Sequence, residues 1–141
     1  MPSPVIVRML TMADVSLLLN ADADVFDEKV DPELAAQFLA DPRHHMAAAL
    51  LDGTIVGMAS AVHYIHPDKP AELWINEVGV AGRCRRQGIA RRLMQALFDH
   101  ARALGCAEAW VATEFDNTAA RELYRSSGGA EQEIAYCTFR L

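Results

Sequence analysis

Residues 78–90 read VGVAGRCRRQGIA and join a strand-like apolar run to the longest helical pattern in the chain. That helical pattern covers residues 87–104, where apolar residues recur every three or four positions, as in a helix packed on a sheet. A turn rich in glycine and arginine at a helix start exposes several backbone N–H groups at the positive end of the helix dipole. The stretch therefore predicts an anion-binding turn suited to a phosphate or pyrophosphate. It matches neither the glycine fingerprint of dinucleotide-binding folds nor the phosphate loop that ends in G-K-S/T.

Strand and helix patterns follow one another along the rest of the chain, without repeats or linkers. Their order, β-α-α-β-β-β-α-β-α-β, predicts one α/β domain over residues 1–141, with a mixed, mostly antiparallel central sheet flanked by helices. Helix starts are indicated by a capping-box-like pattern at residues 11–14 and by Asp31-Pro32. We expect strands at 5–10, 45–51, 54–64, 72–80, 107–113 and 133–141, and helices at 11–20, 32–40, 87–104 and 117–126.

Composition narrows the class of protein. A chain of 141 residues that is 52% hydrophobic can bury an ordinary core, and none of its apolar runs approaches the roughly 20 residues of a membrane span. The start of the chain lacks the pattern of a signal peptide. Three cysteines without a C-x-x-C pair, and the adjacent His44 and His45 without a chelating spacing, predict neither disulfides nor a metal site. We therefore expect a cytoplasmic protein without a membrane partner.

The net charge of −6 is unevenly distributed. Residues 1–76 sum to −7, whereas residues 77–141 sum to +1, and every positive side chain in that second part is an arginine. Nucleic-acid binding needs a broad basic face, which the acidic first part argues against. A local arginine cluster suits a compact polyanion such as a phosphorylated cofactor, although a solvated helix start would also carry such charges. The clustered arginines are at positions 83, 85, 86, 91 and 92.

The hexapeptide at residues 85–90, RRQGIA, resembles the R/Q-x-x-G-x-G/A acyl-CoA signature of the GNAT superfamily of N-acyltransferases. The resemblance extends over essentially residues 5–141, because INEVGV, the long helix, AWVATE and the segment 117–124 follow in the superfamily's order and spacing. It implies acetyl-CoA as co-substrate, no metal, a homodimer, and a splayed pair of strands that forms the acyl-CoA cleft.

The resemblance also implies which residues hold the cofactor. The strand before the signature would pair through its backbone with the pantetheine arm, with Gly79 at a bulge, and the Val80 N–H would polarise the thioester carbonyl. Asn117 would hydrogen-bond the pantetheine, beside or instead of an ordinary role as a helix cap. The pyrophosphate would lie on the turn and helix start. The cofactor-binding residues so implied are Val78, Gly79, Val80, Arg85, Arg86, Gln87, Gly88, Ile89, Ala90 and Asn117.

Two residues match the superfamily's catalytic positions. Tyr124 matches the tyrosine that protonates the departing CoA thiolate in many members, and a phenol can deliver that proton in a dry cleft. Glu77 lies where members often carry a carboxylate that takes the amine's proton, directly or through water, and a buried carboxylate would suit that role at neutral pH. The ordinary alternatives are a half-buried packing tyrosine and an exposed acid on a strand.

The acidic first part of the chain favours a cationic acceptor. Within the superfamily, EVGV, R-R-Q-G-I-A and the acidic loop after the first helix are most similar to the type I aminoglycoside 3-N-acetyltransferases. That resemblance implies acetylation of an aminoglycoside or a similar polycationic amine, and hence antibiotic resistance. The alternatives are a protein, peptide or small-metabolite N-acetyltransferase, and a non-catalytic acyl-CoA-binding module. Candidate acceptor-binding acids are Asp24, Asp27, Glu28 and Glu72.

Overall fold

The computed structural model describes residues 2–141, which contain one five-stranded sheet. The first four strands are antiparallel neighbours in chain order, and the fifth pairs in parallel with the fourth. The strands are β1 (Val5–Met9), β2 (His44–Leu51), β3 (Thr54–Tyr64), β4 (Glu72–Val80) and β5 (Glu108–Val111), and the helices are α1 (Val15–Leu19), α2 (Pro32–Ala40), α3 (Ile89–Ala103) and α4 (Thr118–Ser126). This is the mixed α/β architecture that the sequence predicts.

Local signals set the boundaries of several elements. The Thr11–Asp14 capping box forms, with the Thr11 N–H donating to the Asp14 carboxylate at 2.7 Å. Asp31 caps α2 by accepting hydrogen bonds from two backbone N–H groups at 2.9 Å. Asp52 and Gly53, with φ of 51° and 78°, form the tight turn between β2 and β3. These three predictions are confirmed.

The core lies between the sheet and its helices. Consecutive residues of β2 and β3 are buried, although their side chains point to opposite faces of the sheet. Both faces of these central strands are therefore covered. The apolar stripe of α3 packs against one face, and α1 and α2 pack against the other. The stripe consists of Ile89, Leu93, Leu97 and Ala101, all 5% exposed or less.

β4 and β5 separate after four residues. Their pairing covers Glu72–Ile75 and Glu108–Val111, whereas β4 continues to Val80 against β3. The ladder between β3 and β4 also slips, because Ala61 lies opposite Ile75 while Ser60 lies opposite Glu77. Asn76 is therefore the extra residue of a β-bulge. The expectation that Gly79 forms the bulge is wrong, since its pairing with Met58 is regular.

The predicted strand at 133–141 is also wrong. Residues 130–141, which we call the 130–141 segment, form neither helix nor strand in the described chain, and all of them are exposed. A strand requires a neighbouring backbone to complete its hydrogen bonds, and an alternating pattern does not say which edge supplies it.

Candidate active site

A cleft of about 330 Å³ opens where β5 departs from β4. Four parts of the chain line it: the loop after α1, the facing parts of β3 and β4 with the turn after them, the residues that follow β5, and one side of α4. The lining residues are Asp24, Val25, Asp27, Met58, Asn76, Glu77, Val78, Gly79, Val80, Arg85, Ala112, Thr113, Asn117, Ala120 and Tyr124.

The loop after α1 lies directly against β4. A Cβ built on Gly79 would overlap the carbonyl oxygen of Val25. Gly79 is thus required for a close backbone approach rather than for a bulge. The contact holds one wall of the cleft against the strand.

The backbone of β4 directs some of its hydrogen-bonding groups towards the cleft. The Ala81 N–H donates to the Val56 carbonyl at 2.7 Å, so residue 81 faces β3. Because successive residues of a strand direct their backbone groups to opposite sides, Val78 and Val80 direct theirs away from β3. The Arg85 Nε–H, which donates to the Val80 carbonyl at 3.2 Å, confirms that direction. β5 does not reach this part of β4, so an extended ligand chain could pair there.

The turn before α3 has the geometry of an anion site. Arg86 and Gly88 both adopt left-handed conformations, with φ of 62° and 76°. That conformation is uncommon for arginine, and backbone strain of this kind clusters at ligand-binding sites. Within the described chain, no group accepts a hydrogen bond from the N–H groups of Arg86, Gln87 or Gly88. These amides and the first turn of α3, from Ile89 and Ala90, form a concave set of donors.

Asn117 and Tyr124 lie on the same side of α4 and reach the cleft together. The Asn117 Oδ1 accepts a hydrogen bond from the Ala120 N–H at 3.0 Å, so Asn117 is the helix cap. Its NH₂ group remains available to a ligand, which makes the cap and a binding role compatible. Burial raises the pKa of Tyr124, which keeps its hydroxyl protonated and able to donate at neutral pH.

Glu77 is exposed on the cleft wall rather than buried. The bulge explains this position. With strict alternation Glu77 would share the inward face of Leu73 and Ile75, but the extra residue at Asn76 rotates Glu77 to the opposite face. The same face carries Gly79 and its contact with Val25. The carboxylate therefore faces the cleft.

The four acidic candidates separate into two pairs. Asp24 and Asp27 line the cleft, whereas Glu28 and Glu72 lie outside its lining. The Asp24 carboxylate accepts a hydrogen bond from the Gly82 N–H at 2.7 Å, and this bond is the main reason that the pKa of Asp24 is lowered. Asp24 thus stays ionised and also ties the loop to the turn before α3. Glu72, at the far end of β4, pairs with His66 Nε2 at 2.6 Å.

Sequence reasoning missed several lining residues. Ala120 shares a helical face with Asn117 and Tyr124, so the spacing of three and four residues could have revealed it. Thr113 follows β5, the strand that pairs with β4, so its position could also have indicated that it lines the cleft. Val25 could not have been found, because its contact with Gly79 joins segments 54 residues apart in sequence.

The comparisons with known proteins identify the class of protein. The family model described as acetyltransferase (GNAT) family matches residues 12–128. The chain therefore belongs to the GNAT acetyltransferase family, and it is an acetyl-CoA-dependent N-acetyltransferase.

Individual relatives differ in their named activities. The chain is 33% identical over 127 residues to the N-alpha-acetyltransferase RimI of Mycobacterium tuberculosis, covering 89% of this chain and 78% of that protein. Its fold is similar to that of the aminoglycoside acetyltransferase meta-AAC0020 from an uncultured soil metagenomic sample, solved with sisomicin, with a TM-score of 0.87, 22% identity and coverage of 97% and 96%. The aminoglycoside N-acetyltransferase AAC(6')-Iy, solved with CoA, gives a TM-score of 0.81 at 18% identity, with coverage of 99% and 97%.

Two kinds of feature are absent from the described residues. Within residues 2–141, no helix combines the length and the apolar character needed to cross a bilayer. No group of three or more His, Cys, Asp or Glu side chains in the same part of the chain is arranged to hold a metal ion.

Proposed function

We propose that this enzyme transfers the acetyl group of acetyl-CoA directly to an amine of a polycationic small molecule such as an aminoglycoside. The observation that carries the proposal is the cleft itself, because three acidic residues (Asp24, Asp27 and Glu77) line the same cavity as Tyr124 and the end of β4. A cleft with three carboxylates attracts and orients a cation.

The cleft fits acetyl-CoA in two places. Val78 and Val80 would pair with the amide-bearing pantetheine arm, and the NH₂ group of Asn117 would add a hydrogen bond. The free amides of residues 86–90 would hold the pyrophosphate, and the positive charges of Arg85 and Arg86 would add to its attraction. When bound, acetyl-CoA supplies a thioester whose carbonyl carbon an amine can attack.

The proton transfers balance between two side chains. An amine in water is mostly an ammonium ion, so it must lose a proton before it attacks; the Glu77 carboxylate would accept that proton, directly or through a water molecule. The Val80 N–H would donate to the carbonyl oxygen as negative charge develops on it. The Tyr124 hydroxyl would donate its proton to the sulfur as the C–S bond breaks, and the nitrogen, on becoming an amide, would release its second proton, which restores the Tyr124 hydroxyl through solvent. The proton held by Glu77 then leaves to solvent, so one proton is released in each turnover.

The acceptor would approach from the acidic side of the cleft. Asp24 and Asp27 lie on the loop after α1, which forms one wall of the cleft, and the Asp24 carboxylate is held by the Gly82 N–H. Glu28 and Glu72 lie outside the lining, so we assign them at most a long-range attraction for a cation. The structures of aminoglycoside acetyltransferases with the same fold support this acceptor class, since one was solved with sisomicin.

A substrate panel tests the acceptor. CoA release is measured with gentamicin-class aminoglycosides, and we expect turnover that falls by about 10²-fold or more in Glu77→Gln and in Tyr124→Phe. Glu28→Gln, outside the cleft lining, is the matched acidic control and should keep near-wild-type rates. Absence of turnover with every aminoglycoside tested would remove this acceptor class.

A second candidate acceptor is the N-terminal amine of a peptide or protein. The 33% identity with an N-alpha-acetyltransferase over most of both chains favours it. The same CoA-release assay with short peptides that differ only in a free or blocked N-terminus distinguishes the two. Turnover that requires the free N-terminus, without turnover on aminosugars, would establish this alternative.

The remaining proposals concern the location of the enzyme, its effect on bacterial growth and its oligomeric state. We propose a cytoplasmic location, where acetyl-CoA is made and where the free thiols of Cys84, Cys106 and Cys137 stay reduced. If aminoglycosides are the acceptor, expression of the enzyme raises the concentration of drug needed to stop bacterial growth, and Tyr124→Phe does not. We also expect a homodimer.

A further inference from the structure

We propose that Trp74 and Trp110 form an acceptor subsite, on which a cationic sugar ring of the acceptor stacks while an amine of a neighbouring ring is acetylated. We call these two residues the Trp74–Trp110 pair. The inference rests on the proposed function, because it names the part of the protein that holds the rest of a polycationic acceptor.

The Trp74–Trp110 pair lies at the rim of the cleft. Trp74 of β4 is the register partner of Val62 in β3 and of Trp110 in β5, and cross-strand partners share one face of the sheet. The residues on either side of Trp74, Leu73 and Ile75, are buried on the face that α3 covers, so Trp74 points to the opposite face. The pairing of β4 with β5 ends one residue beyond the pair, where the two strands separate.

The bulge at Asn76 brings the candidate base onto the same face as the pair. Because of the extra residue, Glu77 follows Trp74 on the face opposite α3, and Gly79 after it meets the loop after α1. Three residues along a strand correspond to about 10 Å or less, which is the separation of Trp74 from Glu77. An acceptor of two or more linked rings can therefore place an amine at Glu77 and a second ring on the pair.

Trp74 stays exposed because the helices on this face contact other strands. α1 contacts β3 and α2 contacts β2, whereas Trp74 in β4 is 40% exposed. Its indole ring is stacked on that of Trp110, with ring centres 5.1 Å apart and planes 8° apart. The Trp110 Nε1–H donates to the Tyr64 hydroxyl at 2.7 Å, and the Tyr64 ring packs edge-on against His66. The rings are thus oriented before a ligand binds, which lowers the entropy cost of binding.

The charges around the pair favour a ligand with more than one ammonium group. Glu72 and Glu108 are register partners two residues before Trp74 and Trp110, so both lie on the same face as the pair. Glu72 pairs with His66 at 2.6 Å, whereas Glu108 is exposed. The three acids of the cleft lie beyond the other end of the pair. The aromatic surface is therefore placed between two negatively charged regions.

An aminosugar ring has the matching chemistry. Its C–H groups form an apolar face that can stack on an aromatic ring, and indole is the aromatic side chain that attracts a cation most strongly. A polycationic sugar carries ammonium groups at both ends of such a ring, so it matches both negative regions. A peptide acceptor with a single N-terminal ammonium group would leave the carboxylates of Glu72 and Glu108 without a counter-charge.

Tryptophan fluorescence measures binding at this subsite directly. The chain has only two tryptophans, and both belong to the pair. Sisomicin is titrated into the protein saturated with CoA, and a short peptide with a free N-terminus is titrated in parallel. We expect a saturable change in fluorescence with sisomicin, and a weaker apparent affinity in Trp74→Leu. Acetylation of sisomicin without a fluorescence change, or a saturable change with the peptide alone, would overturn the inference.

Steady-state kinetics separate a subsite from a merely structural aromatic pair. Trp74→Leu keeps an apolar side chain but removes the ring, so the KM for sisomicin should rise about tenfold, while kcat and the KM for acetyl-CoA stay close to the wild-type values. Trp74→Phe, which restores an aromatic ring, should recover most of the affinity. A pair that only supported the separation of β4 and β5 would change the KM for acetyl-CoA and kcat as well. An unchanged KM for sisomicin in Trp74→Leu contradicts the subsite.

The two measurements also distinguish the inference from the proposed function. The fluorescence titration needs no turnover, whereas CoA release measures the reaction itself. A saturable fluorescence change without CoA release would keep the binding site and remove the proposed reaction. Absence of both signals would overturn the subsite together with the aminoglycoside acceptor.

Discussion

Three imidazoles from β2, β3 and α3 form a hydrogen-bonded chain inside the molecule. His45 Nε2 lies 2.7 Å from His63 Nδ1, and His45 Nδ1 lies 2.9 Å from His100 Nε2. A neutral imidazole has one donor and one acceptor nitrogen, so neutral tautomers can satisfy the whole chain. Protonation of His45 would make both of its nitrogens donors and add a charge in the interior.

The pKa of His45 reflects that environment. His45 is only 9% exposed, and burial is the main cause that lowers its pKa from 6.5 to about 4. Positive charge on His100, His63 or His44 lowers it further, and Asp41 opposes the change. Because the pKa in the folded state lies below the unfolded value, the unfolded chain binds the proton more readily. The stabilisation is therefore present above pH 6.5 and is lost as the pH falls towards 4.

The size of the effect follows from the two pKa values. At 1.36 kcal/mol for each pKa unit, the difference between 6.5 and about 4 corresponds to about 3 kcal/mol at low pH. About 2 kcal/mol of this is lost between pH 7 and pH 5. For a chain of this size, such a loss lowers the melting temperature by roughly 5–7 °C.

The assay compares the wild type with His45→Gln, which keeps hydrogen-bonding groups but cannot take up the proton. Urea unfolding is measured at pH 7, 6 and 5. The wild type should lose about 2 kcal/mol more than the variant over this range, whatever the variant costs at pH 7. The pKa of His100 is also lowered, mainly by burial, and His100 is present in both proteins, so the difference reports His45 together with its coupling to the two neighbouring imidazoles. Parallel pH profiles for the two proteins would refute the reasoning.

Two further substitutions test the walls of the cleft, and a third tests an ion pair near the beginning of the chain. Gly79→Ala should destabilise the protein by about 1–3 kcal/mol and weaken acetyl-CoA binding, because the new methyl group overlaps the Val25 carbonyl; an unchanged thermal shift with acetyl-CoA would contradict this. Asn117→Ala should cost about 1 kcal/mol through the lost cap and raise the KM for acetyl-CoA, a split that steady-state kinetics and urea unfolding separate. Asp14→Asn should cost about 1–3 kcal/mol in urea unfolding, because Arg8 loses a two-bond ion pair at 2.9 Å that lowers the pKa of Asp14 to about 2; a change within ±0.5 kcal/mol would count against it.

Much of the fold follows from local rules that the sequence displays. The stripe of α3, the Asp31 cap and the turn at Asp52 and Gly53 each depend on residues a few positions apart, and each forms as expected. The same holds for the helical face shared by Asn117 and Tyr124. Local patterns were sufficient wherever the partner lies within about one helical turn or one hairpin.

Long-range contacts were not predictable in this way. The imidazole chain joins His45 to His63 and to His100, which are 18 and 55 positions away in the sequence. The predicted strand within the 130–141 segment has the right propensity, but propensity describes the segment and not the edge it needs. A sequence pattern indicates which secondary structure a segment prefers, whereas the neighbouring segment determines whether that structure forms.

The bulge at Asn76 shows why the candidate active site could be located from the sequence although its geometry could not. The alternation of β4 places Leu73 and Ile75 in the core, and continued to Glu77 it would bury the carboxylate beneath α3. One extra residue reverses the facing of everything that follows, so Glu77 faces the cleft and Gly79 meets the loop after α1. The pairing of β4 with β5 ends at the same point, which opens the cleft beside the turned side chains. The acyl-CoA signature predicts where a phosphate binds, but the bulge determines that a carboxylate faces the same cavity.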